Sequence, residues 1–272
     1  METNLFYRTK QTLVASSIKE KFNLFEKLYK DFQEDRLSFS KTSSIEVFTN
    51  PSYYSFCKIV DPKEIPQKKN LVLDENKAYL LHAIAHIEYS AIDLALDACY
   101  RFQDMPKEFY KDWLEVADDE IRHFKMISEL LVTYGVTYSD LAVHKGLFEA
   151  SMKTLELIPR MALIPRYMEA NGLDANALII SKLKKIKDTQ KIIELLEIIL
   201  EEEIDHVKKG DRWYKYGCAL KKDFKCDYFK IVNSVHKNSF NTNKHINIEA
   251  RKRAGFSDEE IARLTNKESI NI

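Results

Sequence analysis

Apolar residues recur at spacings of three and four over most of the chain, and strict apolar–polar alternation is nearly absent. The pattern predicts an all-α protein. Breakers are sparse where the spacing is strongest: all six glycines lie at or beyond Gly135, and only Pro106, Pro159 and Pro165 follow residue 75. Four long core helices are expected. The first runs from about Glu75 to Phe102. The second starts at Pro106, a residue favoured in a first turn, and ends near Tyr134 with Gly135 as its C′ residue. The third begins near Phe148 and contains Pro159 and Pro165, which kink it or delay its start. The fourth covers about Thr189–Gly217. Ahead of them, a helix over Thr9–Phe32 leads into loops rich in Ser, Asn and Pro. Behind them come an apolar helix over Tyr228–His236 and a short one near Ser257–Leu264, where Ser257 and Glu260 form a capping-box pattern. The expected organisation is an N-terminal helical wrap over 1–74, a helical bundle over 75–218 and a C-terminal helical extension over 219–272.

Chemistry enters where the apolar stripes are interrupted. The stripe of the second core helix is Trp113, Val116, Ala117, Phe124, Ile127, Leu130 and Leu131, and it passes through Glu120 and His123. The fourth repeats the anomaly: Ile193, Leu196 and Leu200 are followed in phase by Glu203, His206, Gly210 and Trp213. Buried charges are normally paired or bind a metal. The first and third helices each add a lone carboxylate in phase with the core, Glu88 among Leu81, Ile84, Ala91 and Ala95, and Glu169 among Ala162, Leu173, Ala177 and Ile180. A carboxylate helix followed by an E-x-x-H helix thus occurs twice. Four Glu and two His converging in a four-helix core is the arrangement of ferritin-like dimetal carboxylate proteins. Carboxylates balance the charge of two cations, imidazoles add directional nitrogen donors, and the mixed set suits iron, with manganese or a mixed iron/manganese pair as alternatives. Asn171-Gly172 raises a difficulty, since it can stop the third helix just after Glu169. The continuing stripe of Leu173, Ala177 and Ile180 predicts that residues 174–187 carry on along the third helix after a break at Gly172.

Composition narrows the class. A hydrophobic content of 45% with 31% charged residues reads as soluble and globular, and equal numbers of acidic and basic residues leave no global field to draw in nucleic acid or an anionic membrane. No run reaches the roughly 18 apolar residues that a membrane span needs. METNLFYRTK lacks the apolar core of a signal peptide. Cys57, Cys99, Cys218 and Cys226 form no C-x-x-C pair, which fits reduced thiols and a cytoplasmic location. There is no P-loop, G-x-G-x-x-G or G-x-S-x-G, so nucleotide and serine-hydrolase readings lack support.

The stretches LLHAIAHIEYSAIDLALDACYRF, MPKEFYKDWLEVADDEIRHF, HKGLFEA, RMALIPRYMEANGLD, EEIDHVKKGDRWY and ARKRAGF together resemble an uncharacterised bacterial ferritin-like family, catalogued only as a domain of unknown function. The resemblance spans roughly residues 70–256. It implies a ferritin-like four-helix bundle with N- and C-terminal helical additions and a dimetal site, but no reaction. The tRNA hydroxylase group of di-iron monooxygenases is a more distant cousin by fold. In the wider superfamily an Asp before the Glu of one E-x-x-H hydrogen-bonds a histidine ligand. Asp119 matches that position and Glu202 takes the equivalent place in the other motif, which implies a supporting role for both. The chain departs from the family's pattern at GLDAN, where a Thr-Pro is expected after the acidic residue.

The leading expectation is therefore an O₂- or peroxide-activating oxidoreductase whose substrate the sequence leaves open, with O₂ or a small molecule as the expected partner. Two metals would be held by Glu88, Glu120 and His123 and by Glu169, Glu203 and His206. The alternatives are a non-enzymatic metal-binding or storage protein and a metal-free scaffold. His82 and His86 share a face about 120–160° around the helix from Glu88 at ~100° per residue, which suits hydrogen bonding against the N-terminal wrap or a supporting role. His144, in a loop, is a candidate for the pocket mouth. Tyr89 adjoins Glu88 as a candidate redox-active neighbour, though the chain has 14 tyrosines and coincidence is the simpler reading. Arg160 and Arg166, beside the two prolines, are either solvated, paired with carboxylates or available to a substrate anion. From Val207 onward 15 Lys+Arg face 8 Asp+Glu, a net of +7, with Arg251-Lys252-Arg253 among them. A tRNA partner is conceivable there, but a basic tail without an RNA-binding motif is more often a solvated surface.

Overall fold

A computed structural model describes residues 3–66, 68, 70–221, 226–240 and 245–265. Eleven α-helices account for its regular structure, with two short 3₁₀ turns, one π-helical turn and no strand among the described residues. None of these helices is long and apolar enough to cross a membrane. The contacts within the chain gather into two compact units, residues 1–149 and 150–272.

The first unit is built on a helical hairpin. Helices α1 (Leu5–Leu13) and α2 (Ile18–Gln33) precede the long α3 (Asp74–Arg101) and α4 (Lys107–Val132). The single N-terminal helix expected over Thr9–Phe32 is in fact two. The Ser17 hydroxyl caps α2 by accepting from the Glu20 amide, and Glu20 bonds back to Ser16, so local hydrogen bonds outcompete helical continuity at Val14–Ser17. Helices α1 and α2 pack on each other, and α1 packs on α3. A buried ammonium ties the layers: Lys21 of α2 is wholly inaccessible, donates to the Leu13 carbonyl at 3.1 Å and pairs with Asp93 of α3. Pro106 is the N-cap of α4 rather than its first residue, and Gly135 adopts φ +75° just beyond its end. Trp113, Val116, Ala117, Phe124, Ile127 and Leu131 are buried along α4, as the stripe demands.

The second unit holds α6 (Leu157–Leu163), α7 (Ala170–Leu183), α8 (Gln190–Leu220), α9 (Tyr228–Val235), α10 (Ile248–Arg253) and α11 (Asp258–Thr265); the short α5 (Gly146–Met152) lies across the division. The third core helix does not break at Gly172. It runs unbroken through it from Ala170 to Leu183, and the irregularity lies earlier, in the π-helical turn Ile164–Glu169. Pro165 has no N–H to donate to the Met161 carbonyl and its ring crowds that turn, so the helix widens there; an α-helical Gly costs only about 1 kcal/mol against Ala and does not force a stop. The bulged turn packs against α8 where Gly210 leaves room. A Cβ at Gly210 would lie 2.4 Å from the Pro165 Cβ. The tail confirms the capping box, with Glu260 Oε2 accepting from the Ser257 amide at 2.9 Å, and adds α10, which the periodicity did not reveal.

The four cysteines are not all reduced. Cys218, near the end of α8, and Cys226, just before α9, form a disulfide, while Cys57 and Cys99 are free and buried. The helix α8 and the approach to α9 bring the two sulfurs together across a separation of eight residues. The reduced-thiol expectation is corrected for this pair, and with it goes the support that reduced thiols gave to a cytoplasmic location.

Candidate metal centre

Helix register decides which groups meet. Glu88 lies 13 residues before the last residue of α3, and Glu120 lies 13 after the first of α4, so the hairpin sets them at one height. His123 follows one turn on, on the same face. All three are buried: Glu88 is 4% exposed, Glu120 1% and His123 0%. Each offers a ligand atom within 4.8 Å of the others'. His123 Nδ1–H donates to Glu88 Oε2 at 3.2 Å and stands 3.6 Å from Glu120 Oε2.

The electrostatics of this cluster are compatible with a bound cation. Burial, then repulsion from Glu120, pushes the Glu88 carboxyl up to about 8. Burial alone would lower the pKa of His123, but hydrogen bonds to Glu120 and Glu88 outweigh it and push the imidazole up to about 11. Two carboxyl groups thus share one imidazolium in a dry interior, with Glu88 held mostly protonated near neutral pH. A bound divalent cation would take over that role, release the protons from His123 and Glu88, and leave a neutral nitrogen donor beside two carboxylates.

The second unit repeats the register. Glu169 ends the π-helical turn 14 residues before the last residue of α7, and Glu203 lies 13 after the first of α8. His206 is fully buried, and its Nδ1 is 3.5 Å from Glu203 Oε1, whose side chain is 12% exposed. Glu169 is half-buried.

The remaining candidates occupy varied surroundings. Asp119 Oδ1 accepts from Arg122 Nη2 at 2.7 Å, and both it and Glu202 are half-buried. His86 is tied to the loop after α4. Its Nε2–H must donate to the His144 carbonyl at 2.7 Å, which fixes the tautomer and makes Nδ1 the acceptor from the Tyr138 hydroxyl at 2.9 Å. His144 Nδ1 in turn accepts from the Gly146 amide at 3.2 Å. Tyr89 packs edge-on to Tyr53, Phe56 and Phe124, with the Lys21 ammonium 5.4 Å from its ring centre. Sequence reasoning missed Tyr138, which stacks on His82, meets Phe124 edge-on and holds His86; nothing in the local pattern of its loop marks it.

His82 gives the first unit a pH dependence. It is 2% exposed, accepts from the Ser139 amide at 3.3 Å, and burial lowers its pKa to about 4 against a weaker raising effect of Asp140. The folded state therefore favours the neutral ring. The stability this represents is complete above the ordinary value of 6.5 and drains away as pH falls towards 4, by at most about 1.4 kcal/mol per pH unit. Thermal melts between pH 7 and 4 should show this loss, and His82→Gln should flatten it. An unchanged profile in that variant would remove His82 from the account.

The arginines are spoken for. Arg160 donates to the Thr154 and Ser151 carbonyls. Arg166, wholly buried, bonds Asp211 at 2.7 Å and Glu260 at 2.8 Å, and lies over the rings of Tyr214, Tyr228 and Phe256. Arg251 is 1% exposed and binds Asp174, while Lys252 pairs with Asp258 and Arg253 with Glu201. The basic triplet is thus matched by carboxylates of its own unit, so it gives the tRNA reading no support.

The protein is matched over residues 14–262 by the model of a family described as "Protein of unknown function (DUF455)". It is 41% identical over 213 residues to an uncharacterized protein of Haemophilus influenzae, covering 75% of this chain and 72% of that relative. No solved structure matches it.

Proposed function

Starting from a chain that belongs to the DUF455 family of proteins of unknown function, we propose that it is a ferritin-like dimetal carboxylate protein acting as an oxidoreductase on O₂ or peroxide. The observation that carries this reading is the buried trio of Glu88, Glu120 and His123, two carboxylates and an imidazole gathered within 4.8 Å. The donors fit the group: hard carboxylate oxygens and a borderline nitrogen suit iron or manganese. Glu88, Glu120 and His123 would hold mainly one ion, and Glu169, Glu203 and His206 mainly the other. Asp119 and Glu202 orient the histidine ligands. Bound iron would supply the redox chemistry. The chain's own contribution is to exclude water around the ligands, keep their carboxylates ionised by balancing them against the cations, and fix the imidazole planes.

A metal-free scaffold is the second reading, favoured by the way the His123 imidazolium already neutralises one carboxylate. Elemental analysis separates the two. Protein purified without added metal or chelator should carry about two equivalents of iron or manganese per chain, the stoichiometry of dimetal carboxylate bundles. His123→Ala should lose much of it. Full occupancy in that variant, or no uptake by wild type even after anaerobic Fe²⁺ addition, would refute the assignment.

A further inference from the structure

The basic segment ARKRAGF binds inward, and its contacts fall beside the ligands of the second metal. Arg251 Nη2 reaches Asp174 Oδ2 at 2.6 Å and Asn171 Oδ1 at 3.3 Å, and the Asn247 amide donates to Asp174 Oδ1 at 2.8 Å. Asn171 and Asp174 stand two and five residues after Glu169. Three residues before Glu169, Arg166 is joined through its guanidinium to Glu260 of α11. The same segment grips α8: Arg253 Nη1 bonds Glu201 Oε2 at 2.9 Å, two residues before Glu203, and Gly255 approaches Asp211, five after His206. The C-terminal segment therefore touches both ligand-bearing helices on either side of all three ligands.

This placement matters because Glu169 ends a π-helical turn. Such a turn is one residue wider than the α-helix around it, and it alters the direction of every side chain that follows unless tertiary contacts fix its register. Within α7 nothing covalent fixes it. The bidentate Arg251–Asp174 pair does, since a guanidinium fork accepts a carboxylate in one orientation only.

The geometry points to Arg251 as a positioning residue for the second metal, with the C-terminal segment acting as a clamp that sets Glu169 against Glu203 and His206. This rests on the metal-binding reading above. The test is an anaerobic Mn²⁺ titration of metal-stripped, full-length protein, followed by calorimetry and EPR, on wild type, Glu169→Ala, Arg251→Lys and Asp174→Asn. Arg251→Lys keeps the charge and the stem but loses the fork. The expected result is a loss of about 10–100-fold in the step that Glu169→Ala abolishes, the scale for removing a partner that orients a ligand. The other step should be unchanged. Equal affinity for both steps in Arg251→Lys and Asp174→Asn, even with lower melting temperatures, would reduce the clamp to a structural tie and overturn the inference. Should Asp174→Asn not fold, Arg251→Lys alone decides. Absence of any Mn²⁺ uptake by wild type would instead refute the metal reading, and the inference with it.

Discussion

Glu120→Gln is expected to abolish metal uptake and, at the same time, to raise the melting temperature of the metal-free protein. The two effects have one cause. In the absence of a cation, two buried carboxyl groups face one imidazolium, and burial with the charge of Glu120 holds the Glu88 carboxyl far above its ordinary value, mostly protonated near neutral pH. Removing the charge of Glu120 leaves a neutral Glu88–His123 pair, with the amide still filling the space. A gain on the order of 1 kcal/mol would appear as about 2–4 °C in a protein of this size. Loss of a direct ligand should weaken metal binding by more than the roughly 100-fold ascribed to supporting groups. The sign is informative, because a network evolved only for stability would be weakened by the same change. Differential scanning calorimetry of metal-stripped protein beside elemental analysis would check both halves. A clear fall in melting temperature together with retained metal would count against the site.

The second large effect concerns Lys21. Its ammonium is fully buried and meets Asp93 and the Leu13 carbonyl, while Asp93 also accepts from the Ser52 hydroxyl at 2.7 Å. Lys21→Met keeps the volume but leaves Asp93 buried without its cation, at a cost of about 3–5 kcal/mol. Urea unfolding should show a lower midpoint at unchanged slope. Adding Asp93→Asn should recover much of the loss, since the amide needs no counter-charge and still accepts from Ser52. If the double variant is no more stable than Lys21→Met, the damage lies in packing rather than in the orphaned charge.

Much of the molecule is legible in the chain because helices are local. The stripe from Trp113 to Leu131 and the one from Ile193 to Trp213 each follow from the 3.6-residue period, which also exposes Glu120, His123, Glu203 and His206 as polar intruders. The capping box at Ser257 and Glu260 is readable for the same reason: four consecutive residues contain all of it. Where local cues competed, the reading went astray. A break is expected at Gly172 with the helix carrying on beyond it; α7 does carry on, but without the break, and the irregularity comes from Pro165. One N-terminal helix is expected over Thr9–Phe32, but Ser17 caps a second.

By itself, then, the sequence determined the helical class, the extents of three of the four long helices within a few residues (the third, expected from near Phe148, is divided into shorter pieces) and the identity of the charged groups on their buried faces. These depend on periodicity and on side-chain chemistry within a turn or two. The tertiary structure alone decided the rest: that Glu88 accepts from His123 across a hairpin, that Cys218 finds Cys226, that the His144 carbonyl fixes the tautomer of His86, and that the arginines of the tail turn inward to Asp174 and Glu201. Each of these joins residues whose separation is set by how helices pack, and packing depends on the shapes of many side chains at once, which no local pattern records.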